Sequence, residues 1–347
     1  MPFATIDDAP IKLGTRVLMR VDYNVPLAVD GSISDDKRIV DSLPTLHYCL
    51  ERGAKVILCS HFGRPNGSAD PNCSLRLVCD HLQTLLPDVT VRFAGATVGD
   101  SVLQQIAQLP NGGILMLENT RYTDAETNND PTFAQALADC GDVFVNDAFG
   151  AAHRAHASTV GVTQYLPSYA GLLMAREIKY LSQITEQPQH PFTVIIGGKK
   201  VSDKAPLVRK LADQADYVLI GGRVAQEWQD DGKKHRAKII VAPDQGLDIS
   251  PATVASWAAI IKDSKTIFWN GPLGQFDINP QNASGTHAVA DLVAHSGALS
   301  IVGGGDTAAA VKGYQFSHVS TGGGAALEFV ESGTLPGIEC LMKKGEL

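Results

Sequence analysis

The chain has 347 residues, 44% of them hydrophobic and 19% charged, enough for two or three folded domains with sizeable cores. Lysine and arginine total 29 against 37 aspartates and glutamates, a formal net charge of −8, which argues against nucleic acid or a membrane as partner. An anionic substrate would need a local basic patch set against that overall field.

The first residues, Met1-Pro2-Phe3-Ala4-Thr5-Ile6-Asp7-Asp8, show no charged region leading into an apolar run, and no apolar segment approaches membrane-spanning length. A cytoplasmic protein is expected. The six cysteines (Cys49, Cys59, Cys73, Cys79, Cys140 and Cys340) form no C-x-x-C pair and no zinc spacing, and read as buried thiols of a reduced compartment.

Strand-like runs alternate with amphipathic stretches from the start. Residues 16–21 and 55–60 read as strands, 36–51 and 75–86 as helices, 114–117 as a short apolar strand, 131–139 as a helix and 142–145 as a strand. This alternation predicts an α/β fold with a parallel sheet wrapped by helices, and a ligand site beyond the carboxyl ends of the strands. Polar residues gather at those ends. The first carries Arg20-Val21-Asp22-Tyr23-Asn24-Val25-Pro26, the second Ser60-His61-Phe62-Gly63-Arg64-Pro65, and the third Glu118-Asn119-Thr120-Arg121-Tyr122. The fourth carries Asn146-Asp147-Ala148-Phe149-Gly150 and runs into His153-Arg154-Ala155-His156, while Arg38 opens the first helix. One arginine at a strand end is ordinarily a solvated charge. Four strand ends each bringing Arg or His to one edge point to a site for one or two phosphates, held by bidentate guanidinium contacts. Asp22 and Asn24 would orient a hydroxyl. His153 and His156 lack a carboxylate at metal-ligand spacing, so zinc is weakly indicated, and no G-x-S-x-G elbow is present.

Residues 169–186 read as a connecting helix, ended at Gln187-Pro188-Gln189-His190-Pro191 by a domain boundary. The second sheet begins at 192–196 and leads into Gly197-Gly198-Lys199-Lys200-Val201-Ser202-Asp203-Lys204. Glycines there admit phosphate, and Lys200 and Lys204, four apart at a helix start, would present two ammonium groups to it. Lys199 reads equally as an exposed lysine at a turn. Further strands are 216–220, 238–241 and 265–269, the last leading into Asn270-Gly271-Pro272-Leu273-Gly274-Gln275-Phe276-Asp277. In 299–311 a short strand runs into Gly303-Gly304-Gly305 and then a helix start, with Asp306 and Thr307 as N-cap types. Strand, bare glycine turn and helix N-terminus make an anion site, although the stretch alone fits a tight turn in any α/β protein. It is neither a Walker A loop nor a G-x-G-x-x-G fingerprint. A second glycine run, Gly322-Gly323-Gly324, follows, and a tail around Leu335-Pro336-Gly337-Ile338 is expected to pack back on the body.

Together these motifs resemble phosphoglycerate kinase. They are Arg-Val-Asp-Tyr-Asn-Val-Pro-Leu, Ser-His-Phe-Gly-Arg-Pro, Glu-Asn-Thr-Arg-Tyr, Asn-Asp-Ala-Phe-Gly-Ala-Ala-His-Arg-Ala-His, Gly-Gly-Lys-Lys-Val-Ser-Asp-Lys, Trp-Asn-Gly-Pro-Leu-Gly, Gly-Gly-Gly-Asp-Thr and Ser-Thr-Gly-Gly-Gly-Ala, in the family's order over nearly the whole chain. The resemblance implies two Rossmann-like parallel-sheet domains joined by a hinge helix. The expected parts are a phosphoglycerate domain at 1–170, a hinge helix and linker at 171–190, a nucleotide domain at 191–330, and a tail at 331–347 returning to the first domain. It implies reversible phosphoryl transfer between 1,3-bisphosphoglycerate and ADP, giving 3-phosphoglycerate and ATP, with Mg²⁺ as cofactor, in a monomer that closes on its hinge to exclude water. By motif position, Asp22, Asn24, Arg38, His61, Arg64, Arg121 and Arg154 would bind phosphoglycerate. Arg38 and Lys200 would serve the phosphoryl in flight. Gly198, Lys204, Leu247, Asn270, Asp277, Gly304, Gly305, Asp306 and Thr307 would bind nucleotide, with Asp306 on Mg²⁺.

The departures fall on the nucleotide side. The chain is shorter than the family by several tens of residues, mostly after Gly221-Gly222, where Arg223-Val224-Ala225-Gln226-Glu227-Trp228 and a polar run to Arg236 replace an apolar stretch. Lys199 replaces a small residue, Asp277 a usual Glu, and Ser250 an expected Gly. Two other classes compete with an active kinase. One is a phosphoglycerate-binding regulatory protein with impaired nucleotide binding. The other is a nucleotide-dependent oxidoreductase, which lacks the dinucleotide fingerprint.

Overall fold

The computed structural model describes residues 3–65, 67–198, 202, 204–229 and 232–342. Lys199 and Lys200 lie outside the described residues. The chain divides into two compact units, Met1–Arg176 with Thr334–Leu347, and Glu177–Gly333, and the division falls within the helix Leu172–Thr185.

The first unit is built on the strands β1 (Arg16–Arg20), β2 (Lys55–Cys59), β3 (Val91–Phe93), β4 (Ile114–Met116), β5 (Val143–Asn146) and β6 (Ser168–Ala170). They lie in the order β3-β4-β2-β1-β5-β6, and every pairing is parallel. Alternate residues pack on opposite faces. Val17, Met19, Val56 and Leu58 belong to one core, Leu18, Ile57, Cys59 and Leu115 to the other. A sheet buried on both faces needs apolar residues at both parities, which is why these strands read as continuous runs rather than alternating ones. β1 is flanked by β2 and β5, so the strand order reverses there, and ligands of such sheets bind beyond the carboxyl ends at that point.

The second unit repeats the plan with β7 (Phe192–Ile196), β8 (Tyr217–Ile220), β9 (Lys238–Val241), β10 (Thr266–Asn270), β11 (Leu299–Gly303) and β12 (His318–Val319), in the order β12-β11-β10-β7-β8-β9. All its pairings are parallel as well, and the reversal falls between β7 and β10.

Three readings of local structure need correction. The helix read at 36–51 is two, Lys37–Val40 and Leu43–Glu51, because Pro44 fits only the first turn of a new helix. The stretch read as a helix at 169–186 begins with β6, and the helix proper is Leu172–Thr185. The cap after β11 is Gly304, at φ +95°, not Asp306 or Thr307; that backbone conformation strains any side chain. The tail packs on the first unit. Gly337 N–H donates to the Ala152 carbonyl at 2.8 Å, and a Cβ on Gly337 would stand 2.9 Å from the Ala152 Cα. No helix among the described residues is long and apolar enough to cross a membrane.

Candidate functional site

The chemistry of the first unit is laid out from a buried carboxylate. Glu126 is fully buried and accepts from Ser158, at 2.6 Å from the hydroxyl and 3.0 Å from the backbone N–H. The Ser158 hydroxyl in turn accepts from Nε of Arg20 at 2.8 Å, and Arg20, only 1% exposed, turns another N–H to Nδ1 of His61 at 3.1 Å. A guanidinium only donates, so Nδ1 accepts and the His61 proton sits on Nε2. Burial drives the His61 pKa well below its ordinary value against the pull of Asp22, with Arg20, Arg121 and Arg38 lowering it further. His61 is therefore a neutral donor at physiological pH.

Around this core stand the other residues expected there. Arg38 pairs with Asp22 at 2.7 Å. Burial alone would raise the Asp22 pKa, but Arg38, with Arg20 and the Asn24 N–H, holds it below the usual carboxylate range. Asn24 Oδ1 accepts from the Gly63 N–H at 2.9 Å and so fixes the loop after β2. Asn119 ties that loop to the one after β4, its amide donating to the carbonyls of Phe62 at 2.6 Å and Cys73 at 2.8 Å while its oxygen accepts from Arg121 N–H at 3.0 Å. Arg121 has its pKa lowered to about 10 by burial and by Arg154 and Arg20, and its Nε is buried without a hydrogen-bond partner. Arg154 and Arg64 are exposed, and Arg154 Nε donates to His153 at 3.0 Å.

Arg20 and His156 were not among the residues expected to bind. His156 is nearly buried, 3.8 Å from Glu126, with a pKa lowered to about 4 by burial and by Arg121, Arg20 and Arg154. The sequence signal for Arg20 was a charged residue closing an otherwise apolar strand. A depressed arginine and two depressed histidines share the same causes, burial first and then the positive charge of the neighbouring arginines. That arrangement fits a polyanion with phosphate groups.

In the second unit the loops after β7, β10 and β11 meet. A cavity of about 400 Å³ is lined by Gly198, Lys204, Asn270, Gly304, Asp306 and Thr307, with Gly323 and Gly324 also among its lining. Lys204 donates to the Asn270 side-chain oxygen, and the Asn270 amide donates to the Gly303 carbonyl at 2.8 Å. The Thr307 hydroxyl donates to that carbonyl at 2.9 Å and accepts from Gly271 N–H at 2.7 Å. Backbone approaches backbone so closely here that a Cβ on Gly271 would stand 2.1 Å from the Gly197 carbonyl oxygen. A neighbouring cavity of about 170 Å³ is lined by Gly198, Gly222, Arg223, Gln275, Asp277 and Asp306 among others. Leu247 lines neither and is half exposed. Ser250 is an N-cap, accepting from Thr253 N–H at 3.3 Å.

Asp306 is exposed in the first turn after Gly304. Among the described residues no group of three or more His, Cys, Asp or Glu is placed to hold a metal ion. One carboxylate beside a phosphate cradle is a donor set that suits Mg²⁺, which keeps most of its shell as phosphate oxygens and water.

The phosphoglycerate kinase family model matches residues 6–231 and 224–333, the two segments overlapping where the sequence loses its expected apolar stretch. A phosphoglycerate kinase of Pseudothermotoga lettingae is 40% identical over 394 aligned positions, covering 98% of each chain. One of Fervidobacterium nodosum is 41% identical over 397, again 98% of each. An alignment of 394 positions against 347 residues leaves at least 47 where the relative has residues and this chain has none. The structure of phosphoglycerate kinase from Coxiella burnetii matches with a TM-score of 0.83 at 33% identity, over 98% of this chain and 99% of that one. That from Pyrococcus horikoshii matches at 0.83 and 27%, over 97% and 98%.

Proposed function

The chain belongs to the phosphoglycerate kinase family and is a phosphotransferase that moves a phosphoryl group reversibly between 1,3-bisphosphoglycerate and ADP, and we propose which of its residues carry the reaction. The unit Met1–Arg176 with its returning tail takes phosphoglycerate, and Glu177–Gly333 takes the nucleotide. The observation that carries this division is the crowding of Arg20, Arg38, His61, Arg121 and His156 at one sheet edge, against a glycine cradle at the other that, among the described residues, holds Lys204.

Phosphoryl transfer needs alignment and charge neutralisation rather than a covalent protein group. His61, Arg64, Arg121 and Arg154 hold the phosphate that is not transferred, His61 donating through its neutral Nε2–H. Asp22 and Asn24 meet the hydroxyl and carboxyl end. Asp22 also holds Arg38 in one orientation, leaving the rest of its guanidinium to neutralise charge on the phosphoryl in flight. The N–H groups of Gly304, Gly305 and Thr307 cradle the nucleotide phosphates with Lys204 and Gly198, Asn270 fixes Lys204, and Asp277 reaches the ribose. Asp306 would hold Mg²⁺, which when bound supplies further positive charge at the phosphate oxygens. Lys200 is assigned to the transferred phosphoryl by motif position alone. An acyl phosphate is already activated, so no strong base is required. We also read the protein as a cytoplasmic monomer acting on small molecules.

The test is a steady-state assay with 3-phosphoglycerate and Mg-ATP on Arg121→Ala and Lys204→Ala. The first should raise KM for phosphoglycerate and the second KM for ATP, each leaving the other near wild type. A change in the opposite substrate in either variant would reverse the assignment of the units.

A further inference from the structure

β8 runs out into two glycines that have no room for a side chain. A Cβ on Gly221 would stand 2.8 Å from the Leu273 side chain and 3.1 Å from that of Trp257. Gly222 has φ +62°, where side chains are strained, and its Cβ would meet the carbonyl oxygens of Pro272 and Leu273 at 3.3 Å. The chain therefore leaves β8 pressed against residues 272–273, and Arg223 is the first residue there able to offer a side chain. It lines the cavity of about 170 Å³ together with Pro272, Phe276, Asp277 and Asp306.

An exposed arginine four residues before a glutamate is ordinarily a solvated pair worth little. Two observations set Arg223 apart. The first is its place. Its cavity holds both Asp306, beside the phosphate cradle, and Asp277, assigned above to the ribose, so it takes the nucleoside end of the ligand. Among the described residues the apolar side chains on that cavity are Pro272 and Phe276. Arg223 also directly precedes the overlap, from residue 224, of the two segments that match the family model.

The second observation is how Arg223 is held. Its Nε donates to Glu227 Oε1 at 2.9 Å, within the helix Gly222–Glu227. The N–H bonds of a guanidinium lie in its plane, so Glu227 grips the group by one edge and leaves its faces out of the bond. The side chain stays 55% exposed. With Glu227 already against its charge, the group is better suited to lie flat on a π-system than to seize a phosphate.

We infer that the Arg223 guanidinium is the face on which the purine base rests, a specificity-determining contact that stands in for the apolar cover lost with the missing segment. Every base has a π-face, so a stacked guanidinium holds adenine and guanine alike. This deepens the nucleotide reading of Glu177–Gly333 and rests on it.

The test compares nucleotides with a ligand that has no base. With 3-phosphoglycerate saturating, Arg223→Ala should raise KM for ATP and for GTP by the same factor, about tenfold. The Ki of ribose 5-triphosphate, as a competitor of ATP, should stay within about twofold, which also shows that the variant is folded. Arg223→Phe, with a face and no charge, should stay close to wild type, and Arg223→Lys, with the charge and no face, should behave as alanine. A ribose 5-triphosphate Ki that rises with KM, or a lysine variant equal to wild type, would overturn the inference by making Arg223 a charge on the phosphates. An unchanged KM in Arg223→Ala would overturn it by returning the side chain to solvent. Ribose 5-triphosphate that fails to compete with ATP in the wild type would contradict the nucleotide reading itself, and the inference with it.

Discussion

The guanidinium of Arg20 donates to Nδ1 of His61 at 3.1 Å, and that bond decides which ring nitrogen carries the proton. His61 then offers one N–H and no charge. His61→Ala should raise KM for phosphoglycerate by about 10- to 100-fold, the worth of one hydrogen bond to a charged group. His61→Gln keeps an N–H donor and should recover most of that loss. Equal KM values for the two variants would mean that His61 serves only as packing.

Arg38 is held by Asp22 at 2.7 Å and is assigned to charge that develops during transfer. Arg38→Ala should lower kcat by roughly 10³-fold, on the scale of arginines that stabilise phosphoryl transfer. Arg154→Ala should instead raise KM for phosphoglycerate more than it lowers kcat. A near-wild-type kcat in Arg38→Ala would remove that residue from the reaction.

How much of this was legible in the sequence follows from strand length and burial. β1, β2, β4 and β5 were readable because both faces are covered and each strand ends abruptly in polar residues. β3, β6 and β12, of three, three and two residues at or near sheet edges, carry too short a pattern to separate from loop. Asp22, His61 and Arg121 announced themselves as polar groups at strand ends. Arg20 stood at a strand end too, but its role was not legible there, because only the buried Ser158–Glu126 partnership, 138 residues away in sequence for Ser158, shows it.

Acid stability should report on His156. Its folded-state pKa, lowered to about 4, lies below the ordinary histidine value near 6.5, so the folded protein takes up its proton later than the unfolded chain. The stability this group provides is present above pH ~6.5 and lost as pH falls toward 4, at most about 3 kcal/mol. Asp147 works the other way. Burial pushes its carboxyl up to about 6, although it accepts from Leu173 and Met174 N–H at 2.9 and 3.2 Å, so its contribution is lost as pH rises through 6. The clean measurement is the urea-unfolding difference between wild type and His156→Gln at pH 7 and at pH 4.5. The wild type should lose ground to the variant in acid. A pH-independent difference would contradict the assigned shift.

The shortened segment bears on the nucleotide base. Arg223 and Gln275 line the smaller cavity and Leu247 contributes nothing to either, so apolar cover for a base comes down to Phe276 and Pro272, while Gly198, Lys204, Gly304 and Thr307 line the larger one. Losing a stacked apolar contact costs about 1–3 kcal/mol, a tenfold to hundredfold loss of affinity. KM for ATP should be high, KM for phosphoglycerate ordinary, and ATP and GTP nearly equivalent substrates. Tight ATP binding with strong rejection of GTP would show that Arg223–Trp228 rebuilds a selective pocket.

The central claim, that the chain remains a working kinase despite the missing segment, meets its most direct test in one measurement. Purified protein is given 3-phosphoglycerate, Mg²⁺ and millimolar ATP, and acyl phosphate formed is trapped with hydroxylamine. Turnover that requires all three components and falls by roughly 10³-fold in Arg38→Ala is the predicted result. No acyl phosphate, from protein that still binds 3-phosphoglycerate by calorimetry, would contradict it and leave a phosphoglycerate-binding protein in its place.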